Sequence, residues 1–174
     1  MKETDSTLRK YIRSIPDYPK KGIVFRDITP LLKDPIAFGS AIDAICDTVS
    51  GIDFDYVVGI EARGFLIGSI VAYKMHKGFV PLRKRGKLPF EKVTVEYQLE
   101  YGIEAVEMHK DAIEKGSRVL VVDDLLATGG TAKAANDIVK SLGGVVAGYA
   151  FLIELVDLKG RERLSGNVFS ILKF

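Results

Sequence analysis

With 174 residues, 47% of them hydrophobic, the chain is long enough to bury a core of its own and is read as one globular domain, leaving little room for a second. A formal net charge of +2 excludes a polycation directed as a whole at nucleic acid, so any basic site has to be local. The single cysteine, Cys46, cannot close an intramolecular disulfide, which fits a reducing compartment.

Residues 5 to 15 read as a helix with Leu8, Tyr11, Ile12 and Ile15 on one face and Pro16 immediately after. The N-terminal stretch lacks the apolar run of a targeting segment, so a cytoplasmic protein is expected. The segment PDYPKKGIVFRDITP then reads as irregular. Asp34 and Pro35 suit the N-cap and first position of a helix reaching Val49, in which Cys46 lies among Phe38, Ile42, Ile45 and Val49 as a core thiol.

From there strands and helices alternate: DYVVGI (55–60), a helix over about 62–76, GFVPL (78–82), RVLVV (118–122), a helix over 130–142 and VVAGYAFLIE (145–154). Short β-branched runs alternating with amphipathic helices predict an α/β fold, a mainly parallel sheet covered on both faces. Ligands bind beyond the carboxyl ends of such strands. The longest apolar run, FLIGSIVAY at 65–73, is too short to span a bilayer, so no membrane is expected as a partner. The stretch from Arg83 to His109 interrupts the alternation; it has strand-like spacing at Val93, Val95 and Tyr97 but many charges, and reads as an extended, mobile hairpin outside the core. The last ten residues carry no readable signal.

The string VVDDLLATGGT (121–131) puts two carboxylates at the end of a buried strand, directly before a loop of small residues that opens a helix. Glycines and a helix N-terminus make a cradle for an anion, yet the aspartates would repel a bare phosphate. A bare Asp-Asp pair after a strand is ordinarily one helix cap and one solvated carboxylate. The Walker sequence G-x-x-x-x-G-K-[ST] and the dinucleotide fingerprint G-x-G-x-x-G are both absent, which removes most support for triphosphate hydrolysis and for NAD binding.

This string resembles the phosphoribosyl-diphosphate motif of the type I phosphoribosyltransferases. The resemblance implies that Ala127, Thr128, Gly129, Gly130 and Thr131 hold a 5′-phosphate, and that Asp123 and Asp124 accept hydrogen bonds from the ribose diol and face the cationic sugar of the transition state. A second motif, GIEARGF (59–65), is similar to the family's diphosphate loop; it implies that Arg63 is a diphosphate ligand and that a cis peptide precedes it, at Ala62–Arg63. A third, GIVFRDITP (22–30), is similar to the N-terminal hood of the adenine-specific members, where Phe25 would stack on the purine while the backbone of Val24 and Arg26 reads its edge.

The fourth is the basic run Arg83, Lys84, Arg85 and Lys87 with LEYG at 99–102. By resemblance the cations reach diphosphate, partly across a dimer interface, and Glu100 is the proton acceptor or relay. RNA is a poor alternative, because no aromatic platform accompanies the charges. The resemblance runs from the hood to LKGRERL (158–164) and implies a single domain over 1–174, with a hood at about 1–34 and a lid at about 83–107.

It further implies transfer of phosphoribose from 5-phosphoribosyl 1-diphosphate to adenine, giving AMP and diphosphate in purine salvage. Magnesium would be carried by the diphosphate, with no direct protein ligand beyond water-mediated contact to Asp123 and Asp124. A homodimer is expected, and nucleic acid is not expected as a partner. Two rivals stay open: a transferase for 6-oxopurines, whose base site usually comes from the C-terminal part of the chain, and a non-enzymatic sensor of phosphoribosyl diphosphate, which would need a DNA-binding module.

Overall fold

The computed structural model describes residues 6–99 and 102–174 and comprises two compact units, residues 1–44 and 45–174. In the first, a short 3-10 helix (Arg9–Tyr11) leads into an antiparallel pair, β1 (Arg13–Pro16) and β2 (Val24–Asp27), in which Ile15 faces Phe25. The helix expected over 5–15 therefore stops at Tyr11. Pro16 disfavours helical geometry at Ile15, and the cross-strand partner supplies the alternative. Leu8 and Ile12 from the expected apolar face are buried, as are Ile28 and Leu31. The turn between the strands contains a cis Tyr18–Pro19 bond, and Asp17 accepts the Gly22 N–H at 2.7 Å.

A short helix α1 (Thr29–Lys33) follows, and α2 (Pro35–Val49) begins in this unit. Asp34 is the N-cap that the sequence indicates: its Oδ1 accepts the N–H groups of Ile36 at 3.0 Å and Ala37 at 2.9 Å.

The second unit is built on a seven-stranded sheet in the order β5-β6-β4-β3-β7-β8-β9. Its centre is parallel: β3 (Tyr56–Ile60) lies between β4 (Gly78–Lys84) and β7 (Arg118–Leu126), followed outward by β8 (Val145–Glu154) and β9 (Val168–Lys173). Helix α3 (Arg63–Lys74) packs on β3, β4 and β7, whereas α4 (Gly130–Ser141) packs on β5 to β8. Strands covered on both faces need apolar side chains in both directions, which is why Val57–Val58 of β3 and Val119–Val122 of β7 show no polar alternation.

Three details differ from the sequence expectation. Strand β7 does not stop at Val122 but continues through both aspartates, because β8 is long enough to pair Asp123 with Phe151 and Leu126 with Glu154. The charged stretch after Arg83 is not all outside the core: β5 (Lys92–Leu99) and β6 (Gly102–His109) form an antiparallel hairpin joined to β4, with Ala105, Val106, Glu107 and Met108 buried. Glu107 is tolerated there because Lys92 Nζ lies 3.1 Å away and the Gly86 N–H donates to it at 3.0 Å. The final residues, unread in the sequence, form β9, with Leu172 fully buried.

Candidate active site

A cleft of about 460 Å³ opens at the carboxyl ends of the central strands. One wall is the end of β7. The Asp124 N–H donates to Asp123 Oδ1 at 2.9 Å, and Asp124 itself is buried. Burial pushes the Asp123 carboxyl well above the ordinary 3.8, and the neighbouring charge of Asp124 pushes it the same way.

Arg63, the first residue of α3, reaches this pair: its Nε lies 2.6 Å from Asp124 Oδ2. The approach requires the next residue to be glycine, since a Cβ on Gly64 would sit 2.8 Å from Asp123 Oδ1 and 2.9 Å from the Val122 carbonyl oxygen. The two motifs that the sequence held apart, VVDD and EARGF, are thus joined by an ion pair. The cis peptide lies one bond earlier than expected, at Glu61–Ala62 rather than Ala62–Arg63. Glu61 is still held to the sheet, donating its N–H to the Leu82 carbonyl at 2.9 Å, whereas Arg63 already belongs to α3, so the reversal of direction falls between Glu61 and Ala62.

Ala127 to Gly129 form the loop between β7 and α4, and Gly130 and Thr131 open the helix. Gly129 has φ +79°, a left-handed conformation that other residues adopt at a cost, and α4 starts at the next residue. The first amides of a helix have no intrahelical acceptor, and no acidic side chain occupies the first turn of α4. Ala127 and Thr131 line the cleft, and Thr128 is partly exposed beside them. Unpaired helix-start amides behind a left-handed glycine are a geometry suited to an anion.

Of the basic run, Lys84 alone is among the residues that line the cleft, its Nζ 3.4 Å from Glu104 Oε1. Arg83 is engaged within its own chain: it forks onto Glu61 at 3.2 and 3.0 Å and donates to the Lys87 carbonyl at 3.1 Å. Arg83 holds the Glu61 carboxyl below its usual range, assisted by the Lys84 N–H and the charge of Lys87. Arg85 pairs with Glu96 at 2.8 Å on the surface.

Tyr97, Glu104 and Glu61 also line the cleft, a role the sequence does not assign to them. Tyr97 OH donates to Glu104 Oε2 at 2.9 Å and accepts from Thr131 Oγ1 at 3.3 Å, and burial pushes its phenol up to about 12. The alternation Val93, Val95, Tyr97 was the available signal, because a period of two puts all three on the face packed against the core. Glu61 lay inside a motif already quoted. Glu100 lies outside the described residues.

Val24, Phe25 and Arg26 all lie on β2 of the first unit. Phe25 meets Tyr18 edge to face at 5.3 Å, and Arg26 Nη1 donates to Ser14 Oγ at 2.5 Å. Asp27 caps the following turn through Thr29 N–H and Oγ1, at 2.9 and 2.8 Å.

Among the described residues no three His, Cys, Asp or Glu side chains come together as a metal cage. A carboxylate pair with one member tied to Arg63 fits a divalent ion that arrives with most of its ligands on an anionic substrate.

Residues 33–172 match the phosphoribosyl transferase domain. The adenine phosphoribosyltransferase of Pseudothermotoga lettingae is 61% identical over 157 residues, covering 90% of this chain and 92% of that protein. Among solved structures, the adenine phosphoribosyltransferase of Thermoanaerobacter pseudethanolicus superposes with a TM-score of 0.95 at 50% identity, over 97% of this chain and 99% of that one. The Saccharomyces cerevisiae enzyme, complexed with an imino-altritol bisphosphate and adenine, superposes at 0.93 with 40% identity, over 99% and 100%. With its loop, acidic pair and arginine gathered in one cleft, the chain belongs to the phosphoribosyltransferase family, among the adenine phosphoribosyltransferases.

Proposed function

We propose that this chain transfers the phosphoribosyl group of 5-phosphoribosyl 1-diphosphate to adenine, forming AMP and diphosphate in purine salvage. The observation that carries the reading is the layout of one cleft, with an anion-binding loop at Ala127–Thr131, cations at Arg63 and Lys84, and the Asp123–Asp124 carboxylates beside them. A substrate with a phosphate at one end of a ribose and a diphosphate at the other uses all three. The relatives at about 60% identity carry the adenine-specific name, and the yeast relative was solved with adenine bound.

In this reading the loop amides and hydroxyls of Thr128 and Thr131 hold the 5′-phosphate, and Arg63, Lys84 and Lys87 take up charge on the leaving diphosphate. Asp123 and Asp124 orient the ribose diol, and Asp124 faces the positive charge that develops at C1 as the glycosidic bond breaks. Favouring the cationic transition state over the neutral ground state is what raises the rate. Magnesium, bound with the diphosphate, would supply further charge neutralisation near the aspartates. Base choice is assigned to Val24, Phe25 and Arg26 on the strength of the VFRD motif, and proton transfer to Glu100 on that of LEYG.

Homodimerisation is part of the proposal, supported by an apolar stripe on α3 at Leu66, Ile70 and Tyr73, of which Tyr73 is 81% exposed. A cytoplasmic location is proposed on the single cysteine and the salvage reaction; among the described residues no helix is long and apolar enough to cross a membrane. The assay that tests the reading compares adenine, hypoxanthine and guanine as acceptors. Adenine should win by orders of magnitude in kcat/KM, because groups matched to a 6-amino edge are left unpaired by a 6-oxo base. Comparable values for adenine and hypoxanthine would overturn it.

A further inference from the structure

The LKGRERL segment has no role in the reading above, yet it touches the phosphate loop. It follows a 3-10 turn at Val156–Leu158 and forms a second at Gly160–Arg163. The contact is backbone on backbone: a Cβ on Gly129 would sit 2.5 Å from the Gly160 carbonyl oxygen, and one on Gly160 would collide with the Ala127 carbonyl and come within 2.9 Å of the Gly129 nitrogen. A side chain at either position would force the loop and the turn apart.

The turn is itself clamped. Arg161 lays its guanidinium on Glu154, Nε to Oε1 at 2.9 Å and Nη2 to Oε2 at 2.6 Å, and also donates to Ser170 Oγ at 3.2 Å and to the Val168 carbonyl. Ser170 Oγ donates in turn to Glu154 Oε2 at 2.5 Å. Glu154 is only 5% exposed and pairs across the sheet with Leu126, the residue from which the phosphate loop departs. Next to it, the Leu155 N–H donates to the Leu126 carbonyl at 2.9 Å.

A buried ion pair adds little net stability, because desolvation offsets its attraction, but a two-pronged pair fixes geometry. What this one fixes is Gly160, the residue before Arg161. A phosphate held by backbone amides binds well only if those amides are in place beforehand, since ordering a loose loop subtracts from affinity.

We infer that Glu154, Gly160 and Arg161 are positioning residues for the 5′-phosphate, bracing the Ala127–Thr131 loop in its anion-binding shape without touching the substrate. The inference rests on the proposed assignment of that loop to phosphate.

The test is calorimetric titration of ribose 5-phosphate, and separately of adenine, into the wild type, Gly160→Ala and the double variant Glu154→Gln/Arg161→Met, with thermal melts and steady-state kinetics alongside. The double variant removes the clamp without stranding a buried charge and leaves the backbone intact, so it serves if Gly160→Ala fails to fold. Ribose 5-phosphate affinity and the KM for phosphoribosyl diphosphate should worsen about tenfold, while adenine affinity and kcat at saturation stay within about threefold.

Unchanged ribose 5-phosphate affinity in folded variants would overturn the inference. So would a parallel loss of both affinities with a lowered Tm, the mark of general destabilisation. A wild type that binds ribose 5-phosphate but makes no AMP from adenine would sink the base assignment alone, and the bracing comparison would still be decided by the variants.

Discussion

Asp123 and Asp124 are adjacent but differently placed: Arg63 lies 2.6 Å from Asp124, whereas the Asp123 carboxyl is pushed up by burial and by its neighbour. A carboxyl whose value is raised by folding binds its proton more tightly in the native state. The stability tied to it is complete below the unfolded value, near 3.8, and is lost as pH rises through the raised value. Asp123→Asn, a permanent mimic of the protonated form, is therefore expected to raise the Tm of the free protein at about pH 8, with the gain vanishing below about pH 4 in melts across that range. A Tm at or below wild type at the alkaline end would contradict the assignment. Asp124→Asn should instead lower kcat by about 10- to 100-fold with the KM for phosphoribosyl diphosphate within about threefold, because its charge matters most when C1 is cationic. A rise in KM at constant kcat would make it a ligand for the diol only. At this scale the motif residues were legible because glycine and acid occur in a fixed order in the sequence, while Tyr97 and Glu104 were not. Their membership depends on a hairpin folding back over α4; the alternation at Val93, Val95 and Tyr97 marks a packed face but does not place it at the cleft.

Helix α3 shows how closely an element must approach its strand to deliver one side chain. Gly64→Ala would press a methyl group into Asp123 and the Val122 carbonyl, so a loss of about 1–3 kcal/mol is expected in denaturant melts, together with lowered activity as Arg63 is displaced. Gly68→Ala, one turn on, meets its nearest neighbour at 3.2 Å and should cost less in both measurements. Equal effects at the two positions would show that the helix can shift freely. Elements with a run of β-branched residues, such as β3 and β8, were readable to within a residue or two. The N-terminal strand is hidden in the sequence because its apolar spacing also fits a helix, and Pro16 reads as a helix stop as readily as a constraint on Ile15. The burial of the hairpin is hidden for a different reason: Glu107 reads as surface in the sequence, and only the fold brings Lys92 and the Gly86 amide to it.

At the scale of the whole molecule the sheet order places the cleft at its centre and leaves α3 with an apolar outer stripe. If that stripe is the proposed dimer contact, Tyr73→Glu should shift the sedimentation coefficient from dimer to monomer at micromolar protein; an unchanged dimer, or a wild type that is already monomeric, would remove the stripe from consideration. The same sheet order sets a timetable for the growing polypeptide. Strand β3 pairs Tyr56 with Val119, so one entire edge of its hydrogen bonds is unavailable until some sixty further residues have been made. At ribosomal speeds of roughly 5–20 residues per second that is an interval of about 3–12 seconds, and from the arrival of β4 to its end Val57 and Val58 have a partner strand on one side and nothing on the other. Until β7 arrives, the strand that later sits at the centre of the sheet is an open edge, and the newborn chain is at its most prone to pair with a stranger.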